Sequence, residues 1–84
     1  MPGLLLQPVP VHTGSGDEDA QLVLADGRLV AVLVRLADPM HGSLVGRWFL
    51  EAGFGPCAAG MGSVFDSLDS AQLWILRHVP APHP

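Results

Sequence analysis

The single cysteine of the chain lies in a loop of small residues and is the first candidate for chemistry. Cys57 stands within the segment Gly55–Gly60, and a nucleophilic thiolate there needs a pKa lowered by a cation or a helix N-terminus. His41, on another loop, could act as a general base that Glu51 or Asp38 orients. No motif spacing connects these residues, so a small apolar filler is the competing interpretation of Cys57.

The glycines and histidines point to ligands less specifically. Four glycines between residues 53 and 62 could form a nest of backbone N–H groups for a phosphate. However, no G-x-G-x-x-G stretch precedes a helix, and the chain has no lysine to complete a P-loop. The four histidines match no zinc-ligand spacing. We therefore expect neither a metal nor a cofactor.

The charge balance argues against nucleic-acid binding. Eight acidic residues outweigh four arginines and give a net charge of −4, whereas proteins that bind phosphate backbones carry basic clusters. The aromatic side chains of Trp48, Phe49 and Phe54 could stack on bases. No basic residues are interleaved with them in the way such a surface requires, so we interpret them as core aromatics, of which Phe49 is the one to test as a surface residue.

Nothing in the sequence predicts a membrane or export segment. The longest apolar run, Leu29 to Val34, is far shorter than the roughly 20 residues of a membrane span. Leu4 to Leu6 lack a basic flank, and prolines follow at once, so a secretory signal is not expected. One cysteine and no export signal favour the cytoplasm. The absence of lysine and asparagine suggests a GC-rich bacterial genome.

The central part of the chain has the pattern of an antiparallel meander. Asp26-Gly27 is a two-residue hairpin signal, because a type I′ turn needs positive φ at both central residues. Prolines and glycines then separate the apolar segments into short strands. The predicted strands are Gln21 to Ala25, Arg28 to Leu36, Arg47 to Phe54 and, briefly, Val64 to Phe65.

A helix is predicted at the end of the chain. Ser67 is a suitable N-cap and Asp69 lies in the first turn, where the helix dipole favours an acid. Apolar residues recur on one face from Leu68 to Val79, and Pro80 ends the helix. The predicted fold is α+β: a three- to four-stranded antiparallel meander with one C-terminal helix on one face, in the order β-β-β-(β)-α.

The chain is long enough for one small domain. Residues 1–19 are predicted to form an N-terminal arm and a flexible loop, in which Leu4 to Val11 could be a short extended edge. Residues 20–79 form the single α+β domain, and residues 80–84 a disordered tail with three prolines.

The strands carry more apolar residues than one covered face requires. On one side of the second strand, every side chain is apolar: Val30, Val32, Val34 and Leu36. We therefore expect this side to face the helix. The opposite set contains Leu29, Ala31, Leu33 and Arg35. Arg47, Phe49 and Glu51 lie on the same side in the third strand, and Leu73 adds an apolar residue on the solvent side of the helix.

These eight residues are the predicted interface, because large exposed apolar patches usually mark binding surfaces. We expect a homo-oligomer, most simply a two-fold dimer, or another protein partner; no nucleic acid and no membrane is expected. The alternative is that Leu4 to Val11 fold over this face. The predicted function is a non-catalytic interaction or accessory module, and the rival is a thiol-dependent or small-molecule activity at the Cys57 loop.

Overall fold

The computed structural model describes residues 3–79, which form a five-stranded antiparallel sheet and one helix. The α+β class is confirmed, but the sheet has five strands instead of three or four. The strands follow one another in chain order, β1-β2-β3-β4-β5. The elements are β1 (Leu4–Pro10), β2 (Asp19–Ala25), β3 (Arg28–Arg35), β4 (Trp48–Gly53), β5 (Val64–Phe65) and α1 (Leu68–His78).

The additional strand, β1, lies at the edge of the sheet. It pairs with β2 along its whole length, from Leu4 opposite Ala25 to Pro10 opposite Asp19. An edge strand tolerates proline because the N–H groups on its outer side have no partner strand. The N-terminal segment therefore extends the sheet sideways, and the alternative in which it folds over the second face is wrong. The predicted tail, residues 80–84, lies outside the described residues.

The turn between β2 and β3 has the predicted geometry. Asp26 has φ 51° and Gly27 has φ 78°, the two positive values that a type I′ hairpin needs. Two 3-10 turns, Pro39–Leu44 and Gly55–Gly60, follow β3 and β4.

The helix begins where its capping residue predicts. The Ser67 side chain accepts a hydrogen bond from the backbone N–H of Ser70, which satisfies one of the donors that the first turn leaves unpaired. Asp69 lies in the first turn, and Arg77 and His78 lie in the last. Ala71 and Ile75 are fully buried against the sheet.

The helix covers the face of β3 opposite to the predicted one. Ala31 and Leu33 are fully buried in the core with Leu50, Ala71 and Ile75, so their prediction as interface residues on the open side is wrong. Both sets of side chains on β3 are mainly apolar, and irregularities in its pairing with β2 and β4 interrupt the alternation, so the strand alone does not distinguish them. The pairing of β3 with β4 determines which side faces the helix, since Leu33 lies opposite the buried Leu50.

Small residues also determine which face is covered. Ala31 lies opposite Gly53, and a methyl group on Gly53 would overlap the carbonyl oxygen of Cys57. The turn Gly55–Gly60 thus packs closely over these positions and places Cys57 in the core. Larger residues there would keep the turn away from the sheet.

We call the other side of the sheet the free face, because no α-helix or further strand of residues 3–79 is packed on it; only loops and the 3-10 turn Pro39–Leu44 lie along its first row. Cross-strand pairing arranges its side chains in three rows. The first row contains Val9, Ala20, Val34, Phe49 and Val64; the second, Gln7, Leu22, Val32 and Ala52; the third, Leu5, Leu24 and Leu29. Gln7 is the one polar residue among them.

Candidate functional site

An open groove lies on the free face beside the first row, whose Val34, Phe49 and Val64 line it. Its volume is about 390 Å³, within the range of small-molecule sites. Its apolar lining consists of Val34, Leu36, Leu44, Phe49 and Val64. Its polar lining consists of Thr13, Asp17, His41 and Glu51.

The polar end of the groove is built around a buried carboxylate. Asp17 is only 6% exposed. Its Oδ1 accepts hydrogen bonds from the backbone N–H groups of Ala37 at 2.6 Å and Asp38 at 2.8 Å. Its Oδ2 lies 2.6 Å from Nε2 of His41. Both carboxylate oxygens are therefore occupied, and one edge of the imidazole is held in place.

These bonds keep Asp17 ionised. The bond from the Asp38 N–H is the largest influence, and together with the Ala37 N–H and His41 it outweighs desolvation and lowers the pKa of Asp17 to about 2. The loop before β2 is thereby fastened to the loop after β3 by a charge-assisted network.

The neighbouring carboxylate organises the turn that carries His41. Asp38 Oδ1 accepts a hydrogen bond from the N–H of Met40 at 2.9 Å, and Oδ2 one from the N–H of Gly16 at 3.2 Å. These two bonds, that of Met40 first, lower the pKa of Asp38. The backbone N–H of His41 donates a hydrogen bond to the backbone carbonyl oxygen of Asp38. Asp38 thus shapes the turn, whereas Asp17, and not Asp38 or Glu51, orients the imidazole.

The groove has a net negative charge. Asp17 and Glu51 contribute two negative charges, and His41 at most one positive charge. None of the arginines contributes to the lining. Arg47 lies 3.1 Å from Asp66 in an exposed ion pair, so its charge is directed away from the groove.

The structure does not bring Cys57 to His41. Cys57 is fully buried in the core on the helix side, while His41 borders the groove on the free face. Burial raises the pKa of the Cys57 thiol, which disfavours the thiolate that a nucleophile needs. The arrangement supports the interpretation of Cys57 as a core filler.

The remaining predicted interface residues fall on different surfaces. Leu29 and Phe49 belong to the free face, and Glu51 borders its groove. Arg35 is exposed and lies opposite Trp48, on the helix side. Leu73 is 58% exposed on α1, across the sheet from the free face.

Asp17 is the site residue that sequence reasoning missed. It lies in a segment predicted to be a mobile loop, and its partners are 20 to 24 residues away. A local signal was present: Thr13 and Ser15 can hydrogen-bond to nearby backbone groups, and Thr13 Oγ1 donates to the Asp17 carbonyl at 2.7 Å. That pattern predicts an ordered turn, but not its partner.

Two further findings describe residues 3–79. No group of three or more histidine, cysteine or acidic side chains there could hold a metal ion. The helix of this part of the chain is too short to cross a membrane.

Comparison with protein-family models, curated proteins and solved structures found no match for this chain.

Proposed function

We propose that the protein is a small binding module whose free face docks a second copy of the chain. The observation that carries this proposal is the composition of the three rows, in which every residue except Gln7 is apolar. Ala20 and Val34 in the first row are already buried, and the exposed Glu51 lies beside Ala52 on β4, so the second and third rows form the open part of the patch. An antiparallel sheet with one solvated face normally has polar residues on that side. Here Leu5 is 63% exposed and Leu29 38% exposed within the third row.

The size of the face supports a stable interface. Strands about 4.8 Å apart, with side chains of one face about 6.6 Å apart along each strand, give the residues of the three rows a projected area of roughly 400 Å². Side-chain relief adds accessible surface to that figure, and a standard interface buries about 800 Å² on each partner. Apolar patches of a few hundred Å² on protein surfaces are often functional.

A second copy is the partner that fits this chemistry best. The second and third rows carry no charged residue that would select a partner of opposite charge, and homodimer interfaces are the more apolar class. A two-fold axis places the patch of one copy against the same patch of the other, so the dimer needs only one kind of surface. Pro8 and Pro10 remove N–H donors from the edge strand β1, which favours association through the face over strand addition.

Leu29→Glu tests this proposal. Leu29 is partly exposed, so the variant should fold, but each subunit then places a carboxylate in an apolar interface. We expect the dimer dissociation constant, measured by light scattering over a concentration series, to rise at least about thirtyfold. Circular dichroism checks that the variant is folded.

Leu73→Glu is the matched control, since it introduces the same charge at a more exposed leucine on the helix side. It should leave the dimer intact. Equal dissociation of both variants, or an unchanged dissociation constant in Leu29→Glu, would overturn the proposal that the free face is the interface.

A further inference from the structure

The groove combines an apolar wall with two acidic side chains, Asp17 and Glu51. Phe49 and Val64 are neighbours across β4 and β5 in the first row, and Leu44 comes from the turn after β3. Glu51 is exposed on β4. Among the described residues, no arginine lies within ion-pair distance of it. This carboxylate can therefore accept a cation from outside the chain.

The negative charge persists whatever the state of His41. If the imidazole is neutral, the groove carries two negative charges; if it is protonated, one remains. Asp17 has both oxygens occupied and therefore serves to orient His41. Glu51 is left as the carboxylate available to a ligand.

We propose that this groove binds a small amphipathic cation, an amine joined to an aromatic or branched aliphatic body. The body packs on Phe49, Val64 and Leu44, and the ammonium group lies at Glu51. Desolvated apolar contact supplies most of the affinity, and charge selects amines over neutral or anionic analogues of the same shape. An anionic ligand such as a nucleotide is disfavoured by the same charges.

The proposal is tested by titrating the full chain with three probes of similar shape, monitored by backbone amide NMR. The probes are 2-phenylethylamine, the neutral 2-phenylethanol and the anionic phenylacetate, at one ionic strength. We expect the amine to bind about three- to tenfold more tightly than the alcohol, as one partly exposed charge pair allows. Phenylacetate should bind least.

Glu51→Gln should remove the advantage of the amine over the alcohol. Glu18→Gln makes the same charge change at an exposed glutamate that does not line the groove, and it should preserve that advantage. Equal affinity for amine and alcohol, equal effects of the two variants, or no saturable binding of any probe would overturn the proposal.

This test is separable from self-association. Phe49 and Val64 belong both to the groove and to the first row of the free face, so the amine and a second copy compete for them. Leu29 lies in the third row, away from the groove, so Leu29→Glu should weaken the dimer and leave amine binding intact or stronger. Glu51→Gln should leave the dimer intact and remove the advantage of the amine over the alcohol. Amine binding that is lost in folded Leu29→Glu would overturn the assignment of the ligand to the groove.

Discussion

At the scale of single residues, the carboxylate of Asp17 does the most to order the surface near the groove. It joins two loops through backbone N–H groups and through His41. A buried ionised group is stable when its oxygens are hydrogen-bonded, and here each oxygen has at least one partner. The same bonds make its contribution to stability dependent on pH.

Asp17→Asn should lower the free energy of unfolding by about 2 kcal/mol at pH 7, because charge-assisted hydrogen bonds become neutral ones. The folded pKa of about 2 lies below the ordinary value of 3.8. The stabilisation is therefore complete above about pH 4 and is lost as the pH falls toward 2. Urea unfolding at several pH values measures the difference between wild type and variant.

Asp19→Asn is the control for this experiment, because Asp19 is an exposed carboxylate at the start of β2. Its effect should stay within about 0.5 kcal/mol, as for most surface substitutions. A difference between Asp17→Asn and wild type that stays constant from pH 7 to pH 2 would contradict the role given to the ionised carboxylate.

Sequence reasoning could single out His41 as a polar residue in a loop, but it could not find Asp17. Residue type and local spacing suggest which groups are able to do chemistry. The contact between them depends on how the loops before β2 and after β3 meet, which is a property of the tertiary fold. For the same reason the hypothesis that joined Cys57 to His41 placed together two residues that lie on opposite sides of the sheet.

At the scale of elements, local signals predicted turns and caps well and strand faces poorly. Asp26-Gly27 and Ser67 act through hydrogen bonds and dihedral angles within a few residues, so the local sequence is sufficient to predict the turn and the helix cap. The orientation of β3 depends on its register with β4, where Leu33 meets Leu50. The edge strand β1 was underestimated because Pro8 and Pro10 weaken a strand only where their missing N–H groups are needed.

Gly53→Ala tests the close packing of the turn Gly55–Gly60 on the sheet. The added methyl group would overlap backbone atoms of Cys57, which cannot move aside as a flexible side chain can. We expect a loss of about 2 kcal/mol or more in the free energy of unfolding, as for overpacked cores. The midpoint of urea unfolding measures it.

Gly3→Ala is the matched substitution, since no atom lies within 4 Å of a methyl group there. It should change the midpoint little. If both variants have the same stability, the turn does not need glycine at position 53, and the packing account of the covered face fails.

At the scale of the whole molecule, α1 and the turn Gly55–Gly60 cover one side of the sheet. No α-helix or strand of residues 3–79 covers the other side, where only first-row residues such as Ala20 and Val34 are buried. Half of the chain is apolar, and a domain of this size buries a modest fraction of its surface. The core beneath α1 accounts for part of the apolar residues, and the free face holds much of the remainder. Association through that face would bury these residues without disulfide or metal.

Sedimentation equilibrium of the wild-type chain over a range of micromolar concentrations tests this central claim most directly. The account predicts a weight-average mass that approaches twice 8.8 kDa as concentration rises, with little dependence on salt because the contact is apolar. A mass that stays at 8.8 kDa up to several hundred micromolar would contradict it.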